Sequence, residues 1–247
     1  MDEQRREGAE NCSCNRLFYA CSLTTLSINA TYDGRPGPYL SPMIDPAIRL
    51  HLSKEPNIAP IVAAHTIPPR PDHGGDVYYG LLRSIAYQQL SGKAAGTIFG
   101  RFLQLFPDEY PHPERLLEMD DDTIRAAGMS RGKTAYIKNV AQYWLDHKLI
   151  NADWEQWTDE EIIGMLTTIK GVGQWTVEMV LMFVLQRPDL LPLDDLIVKR
   201  NIIRLFNIDE TLKGKKMNAE ILRVTEPWRP YRSYASRFMW AIYNTEV

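Results

Sequence analysis

The chain has 247 residues, 45% of them apolar and 24% charged, with a formal net charge of −3. These proportions are those of an ordinary globular protein, and they exclude a collagen-like repeat, a chain disordered throughout and a disulfide-stapled mini-protein. A chain of this length buries roughly 70% of its unfolded surface, so its core needs neither metal nor disulfide.

Residues 1–42 show no sustained hydrophobic period and run through the turn-rich stretch DGRPGPYLSP, from Asp33 to Pro42. They read as a flexible or dispensable tail ahead of a domain over 43–247. All three cysteines, Cys12, Cys14 and Cys21, fall in this tail. Their sparseness points to a reducing, intracellular setting, cytoplasmic in a bacterium and nuclear in a eukaryote. The stretch from Leu17 to Ile28 is too weakly apolar for a signal peptide. No apolar run approaches the roughly 20 residues that cross a bilayer, so no membrane partner is expected.

A helical pattern starts after Met43, and a proline-rich connection, IPPRPDHGG, follows at Ile67 to Gly75. Asp76 is placed to cap a helix whose apolar positions Val77, Leu81, Leu82 and Ile85 fall at helical spacing. Ser91 is placed to cap the next, which carries Ala94, Ala95, Ile98, Phe99, Phe102 and Phe106. Helices are predicted over 120–126, 131–147 and 159–167, the last opened by a capping box of Thr158 and Glu161. Three more are predicted over 174–185, 194–206 and 232–243. With no strand pattern and no fixed-period repeat, the expected fold is all-α, with helices packed about one or two cores.

Charge is unevenly spread. Asp108 to Asp122 holds seven acids and one base, whereas Leu196 to Val247 holds ten bases and five acids. The second stretch could face a polyanion, and Lys213, Lys215 and Lys216 are read either as phosphate contacts or as a solvated loop. His51, His65, His73, His112 and His147 show no metal-ligand spacing, so no zinc site is expected.

The segment IKGVGQWT, Ile169 to Thr176, lies between two helical patterns. Gly171 and Gly173 allow backbone angles and close approaches that a Cβ would obstruct. The amides at the start of the following helix could bind phosphate without reading a base; a plain glycine turn is the alternative.

The run TIKGVGQWTVEMVLMFVLQRPDLLPLDDLIVKR, Thr168 to Arg200, resembles the helix-hairpin-helix DNA glycosylase superfamily. Three further segments are similar to its DNA-3-methyladenine glycosylase II family: IAYQQLSGKAA (85–95), RAAGMSRGKTAYIKNVA (125–141) and PWRPYRSYASRFMW (227–240). The resemblance covers residues 44 to 245 and places the hairpin at about 159–186. It implies two helical subdomains with the active-site cleft between them. It also implies a repair enzyme that flips damaged bases, alkylated purines such as 3-methyladenine and 7-methylguanine, out of double-stranded DNA; a monomer is expected, although no sequence feature fixes the oligomeric state. Removal of uracil or hypoxanthine, an inactive DNA-binding protein and a helical interaction module are the competing readings.

The resemblance assigns the catalytic carboxylate to Asp194, with Asp195 capping the next helix or solvated; either aspartate could be a plain N-cap. Bifunctional relatives carry a lysine where this chain has Trp175, so a monofunctional enzyme without strand cutting is implied. Trp175 and Trp240 match positions of the base pocket, where an electron-rich face favours a cationic base; core roles are the alternative. Met179 stands where an aromatic side chain can occur. Gln89 matches the side chain inserted into the DNA stack, with Gln88 and Leu90 beside it; otherwise Leu90 is core and both glutamines are surface. Gly171, Val172, Gly173 and Thr176 are expected to contact DNA. The backbone carbonyls of Thr167, Ile169 and Val172 are expected to suit a structural Na+ or K+. No cofactor is required, and the four cysteines of an iron–sulfur cluster are missing from the C-terminal region.

Overall fold

The computed structural model describes residues 44–67 and 74–245, so the expected tail, its cysteines and most of the proline-rich connection lie outside the described residues. Two short helices open the fold, α1 (Pro46–Leu52) and α2 (Ala59–Ala64). Then come α3 (Val77–Tyr87), α4 (Gly92–Leu103), α5 (Pro113–Glu118), α6 (Asp121–Ala126) and α7 (Arg131–Asp146). The chain continues through α8 (Asp159–Leu166), α9 (Gln174–Phe183), α10 (Leu196–Leu205), α11 (Gly214–Thr225) and α12 (Arg232–Thr245). No strand occurs among the described residues.

The caps read from sequence close as expected. Asp76 accepts from the Tyr79 amide at 2.9 Å and Ser91 from the Ala94 amide at 3.4 Å. Thr158 and Glu161 exchange hydrogen bonds at the start of α8. The helices that the pattern passes over have weaker starts. Proline leads into α2 and α5 with no side-chain cap, and α11 begins after Lys213, which cannot accept an amide. The Lys213, Lys215 and Lys216 cluster is therefore the entrance and first turn of a helix rather than a loop. Its buried positions, Met217, Ile221 and Thr225, repeat every fourth residue, the signal that the basic lead-in obscured.

These helices enclose two cores. The first runs from α3 to α9 and is centred on Leu81, Leu82, Ile85, Phe102 and Ile137. The second gathers α1, α2, α10, α11 and α12 about Ile202, Ile221, Trp228 and Phe238. Trp240 packs against both. The segment from α9 to α10 is fastened to the start of α12, where the Ser233 hydroxyl accepts from the Leu190 amide at 2.9 Å and donates to the Arg187 carbonyl at 2.7 Å. Arg232 pairs with Asp189 at 2.7 Å in the same place. This fastening sets where α10 begins.

Between α8 and α9 the chain turns at Gly171, whose φ of +101° lies where L side chains are strained. A Cβ there would also stand 2.1 Å from the ring of Tyr136 on α7. Asn139, also on α7, donates to the Lys170 carbonyl at 3.0 Å. Gly173 differs: its φ is −92°, and a Cβ would meet nothing within 4 Å. Only the first glycine is demanded by the fold. Gly171→Ala is expected to lower unfolding stability by about 2–4 kcal/mol, the sum of backbone strain and overpacking, and Gly173→Ala by less than about 1 kcal/mol. Urea denaturation of both variants checks the contrast.

Candidate active site

The helix α10 starts from Asp195, whose Oδ1 accepts from the amides of Ile197 at 3.0 Å and Val198 at 2.9 Å. This is an ordinary N-cap, but the same carboxylate has two further donors. Trp175 Nε1 donates to Oδ2 and Trp240 Nε1 to Oδ1, each at 3.0 Å. Asp195 is only 8% exposed. A carboxylate in such a place needs hydrogen-bond donors; two amides and the Trp240 indole converge on Oδ1, while Oδ2 takes the Trp175 indole alone and keeps a lone pair. Asp194, expected to face the sugar, is exposed and forms no hydrogen bond or ion pair among the described residues. The cap role falls on Asp195 as anticipated; its bonds to both tryptophans were not legible from spacing.

Trp175 stands in the first turn of α9 and Trp240 within α12, each half-buried. Their Nε1 atoms meet at one carboxylate, so the structure brings them together. Phe183 stacks on Trp240 with ring centroids 5.8 Å apart and planes 27° apart. The half-buried Met179 lies one helical turn beyond Trp175, on the same side of α9.

The neighbouring Glu178, an acid within the apolar run from Val177 to Leu185, is only 3% exposed. Its Oε1 accepts from Gln174 Nε2 at 2.9 Å, while Oε2 is buried with no partner. Burial pushes its carboxyl up from the usual range, and the charges of Asp194 and Asp195 add to the rise against the opposing Gln174 amide.

The QQL segment follows α3. Gln88 Nε2 donates to the Thr176 hydroxyl at 3.2 Å, which fastens the segment to the first turn of α9. Gln89 has a left-handed φ of +58° and is exposed, and Leu90 is 37% exposed, so Leu90 is not a core residue. Thr176, expected on the DNA face, is instead buried, with its amide bonded to the Gly173 carbonyl. Its hydroxyl serves Gln88. The Val172 side chain is likewise buried, leaving only backbone for a contact. No side chain caps the start of α9, so its first amides are left for an outside acceptor. Among the hairpin carbonyls, that of Ile169 accepts from the Val172 amide at 3.0 Å. Among the described residues, no group of three or more His, Cys, Asp or Glu could hold a metal, and no helix is long and apolar enough to cross a membrane.

A helical hairpin with an uncapped second helix, feeding a proline–aspartate turn, defines a class. Residues 82–227 match the model of the HhH-GPD superfamily base excision DNA repair proteins, and the chain belongs to that family. It is 33% identical over 180 residues to an alkylbase DNA glycosidase-like protein of Schizosaccharomyces pombe, spanning 72% of this chain and 82% of that one. It is 36% identical over 165 residues to DNA-3-methyladenine glycosylase 1 of the same yeast, spanning 66% and 71%. Among solved structures, the S. pombe 3-methyladenine DNA glycosylase in complex with abasic DNA superposes with a TM-score of 0.67 at 34% identity, covering 78% of this chain and 95% of that one. A DNA-3-methyladenine glycosidase from Bacillus halodurans gives 0.65 at 30% identity, covering 82% and 91%.

The raised Glu178 carboxyl has a consequence for stability. A carboxyl held neutral in the folded state favours folding below its unfolded pKa, and that advantage is lost as pH rises through the folded value. Glu178→Gln, which cannot ionise, is therefore expected to gain stability over the native chain at pH 7 and to lose that gain near pH 4. Urea midpoints at the two pH values measure the difference.

Proposed function

We propose that this protein is a monofunctional DNA glycosylase that hydrolyses the N-glycosidic bond of alkylated purines in duplex DNA, leaving an abasic site for base excision repair. The observation that carries the reading is the Asp195 carboxylate, held by the indole N–H groups of Trp175 and Trp240 at the start of α10. The names of the relatives, 3-methyladenine glycosylases among them, support the substrate class. A DNA substrate puts its place of work inside the cell.

The parts suit the steps. The uncapped start of α9 presents amides and the positive end of a helix dipole to a phosphate. Open space beside Gly173 lets a backbone come close, and this explains a glycine that the fold itself does not need. Gln89 and Leu90 are exposed, which suits a side chain that fills the gap left by a flipped nucleotide. With the lesion out of the stack, the indoles offer electron-rich faces to a cationic alkylpurine.

Cleavage then moves the C1′–N bonding pair onto the base, which leaves neutral because it carried a positive charge. Positive charge develops on the sugar, where a fixed carboxylate stabilises it without reorganisation. Water adds to C1′ and loses its proton to a carboxylate. Geometry favours Asp195 over Asp194 for this role, because Asp195 is the one oriented against the aromatic side chains. Trp175 occupies the place of an attacking lysine and its Nε1 is committed to Asp195, so the strand is left uncut. Carbonyls of Thr167, Ile169 and Val172 are neutral oxygen donors of the kind that suit Na+ or K+, and the Ile169 oxygen keeps one lone pair; such an ion would add positive field towards the phosphate.

Release of free base from methylated duplex DNA, with strand integrity followed before and after alkali, tests the reading. Asp195→Asn keeps a cap and is expected to lose ~10²-fold or more in single-turnover rate, and Asp194→Asn less than about 5-fold. The reverse order would return the chemistry to Asp194. No release of 3-methyladenine or 7-methylguanine by the native chain would sink the alkylpurine reading in favour of uracil or hypoxanthine, or of a DNA binder. Gly173→Ala is expected to weaken affinity for abasic duplex DNA about 5-fold or more through lost phosphate approach. Fluorescence anisotropy at fixed salt measures it.

A further inference from the structure

The segment RGKTAYIKN forms the first half of α7, and the proposed chemistry leaves its residues without a role. Lys133 lies in the first turn of that helix, where a cation is disfavoured by the helix dipole and no acid offsets it. Its ammonium is half-buried and has no carboxylate partner among the described residues. Nζ donates instead to two carbonyls at the end of α3, those of Ala86 and Gln88, each at 2.8 Å. They flank the Tyr87 carbonyl, which accepts from the Leu90 amide, and the second directly precedes the exposed Gln89, which the chain holds in a left-handed conformation uncommon for a residue with a Cβ. Burial pulls the Lys133 amine below its ordinary value. A cation that gives up water to bind two carbonyls at one loop is well placed to shape that loop.

The same side of α7 holds the hairpin. Tyr136, three residues on, packs where a Cβ on Gly171 would stand, and Asn139, three further, donates to the Lys170 carbonyl. Six residues of helix separate Lys133 from Asn139, a rise of about 9 Å. One rigid helix thus carries the attachments of both the QQL segment and the phosphate-facing hairpin. The Gln88–Thr176 hydrogen bond closes the circuit through α9.

We propose that Lys133 is a positioning residue for base flipping: through the Ala86 and Gln88 carbonyls it fixes Gln89 at a set place relative to the hairpin, so that the wedge enters the stack as the hairpin grips the backbone. The inference rests on the reading of Gln89 as the wedge. It assigns Lys133 no contact with the reacting atoms, so its effect appears only where a base pair has to be opened.

The test compares single-turnover release of 7-methylguanine from a fully paired duplex and from a duplex with an abasic site opposite the lesion, where little pairing remains to be broken. Lys133→Met is expected to lose about tenfold or more on the paired substrate and less than about threefold on the other. Its emission change for 2-aminopurine placed beside the lesion, a report on unstacking, is expected to shrink in parallel. Lys133→Arg, which can still donate to both carbonyls, is expected to recover at least half of the lost rate. The double variant Lys133→Met/Gln89→Ala is expected to be no worse than the poorer single variant, because both act through one element. Equal losses on the two substrates, additive losses in the double variant, or full activity of Lys133→Met on paired DNA would overturn the proposal. If Gln89→Ala itself changes nothing, the wedge reading fails; if Gln89→Ala matters and Lys133→Met does not, only the Lys133 assignment fails. Should Lys133→Met not fold, Lys133→Gln carries the same expectations and the same refutations.

Discussion

The arrangement depends on one buried carboxylate. Asp195 receives two amides from the start of α10, one indole from α9 and one from α12. Those helices belong to different cores, α9 to the first and α10 and α12 to the second. A buried carboxylate with empty lone pairs is costly, so satisfying this one ties the relative placement of the two cores to the geometry of a single side chain. The same bonds lock each indole ring in its plane. Pocket walls and carboxylate are therefore one unit, and the site sits at the seam because the seam is where the donors meet.

Around this unit, other contacts fix loops whose free conformations would be many. The segment entering α10 is held by Ser233, Arg232 and Asp189 on α12. The hairpin is held by Tyr136 and Asn139, and the QQL segment by Lys133 and Thr176. Lys133 uses carbonyls that the end of α3 leaves unsatisfied, Asn139 and Ser233 use backbone groups of the loops, and Gln88–Thr176 and Arg232–Asp189 are side-chain pairs. Helix ends thus do two jobs, closing the fold against itself and leaving the start of α9 open towards solvent. An enzyme that acts on an extended polyanion gains from that division, because phosphate contacts come from rigid backbone.

Much of this was legible in the chain. The caps at Asp76, Ser91 and Thr158 and the glycine turn follow from local rules, since a cap or a helical stripe is decided within a few residues, whereas the two tryptophans are marked only by the family resemblance. Helices α2, α5 and α11 lack a side-chain cap, which removes the punctuation that marks a start in the sequence. The resemblance sets Thr176 among the DNA contacts, yet its side chain is buried and holds Gln88. The burial of Glu178 has no local signal, because one acid in an apolar helix looks the same whether it faces water or a core.

By itself the sequence determined the all-α class, the glycine turn between α8 and α9 and the adjacent aspartates, because each is written in the order and spacing of neighbours, while the family resemblance singled out the two tryptophans. Which aspartate receives the indoles was decided only in three dimensions. Asp194 and Asp195 differ by one position, and one step along a helix entrance turns a side chain from solvent to the seam between two cores. Nor could spacing disclose that Lys133 would reach carbonyls 45 and 47 residues away. Such contacts depend on how helices from distant parts of the chain pack, and packing is set by the whole buried surface at once.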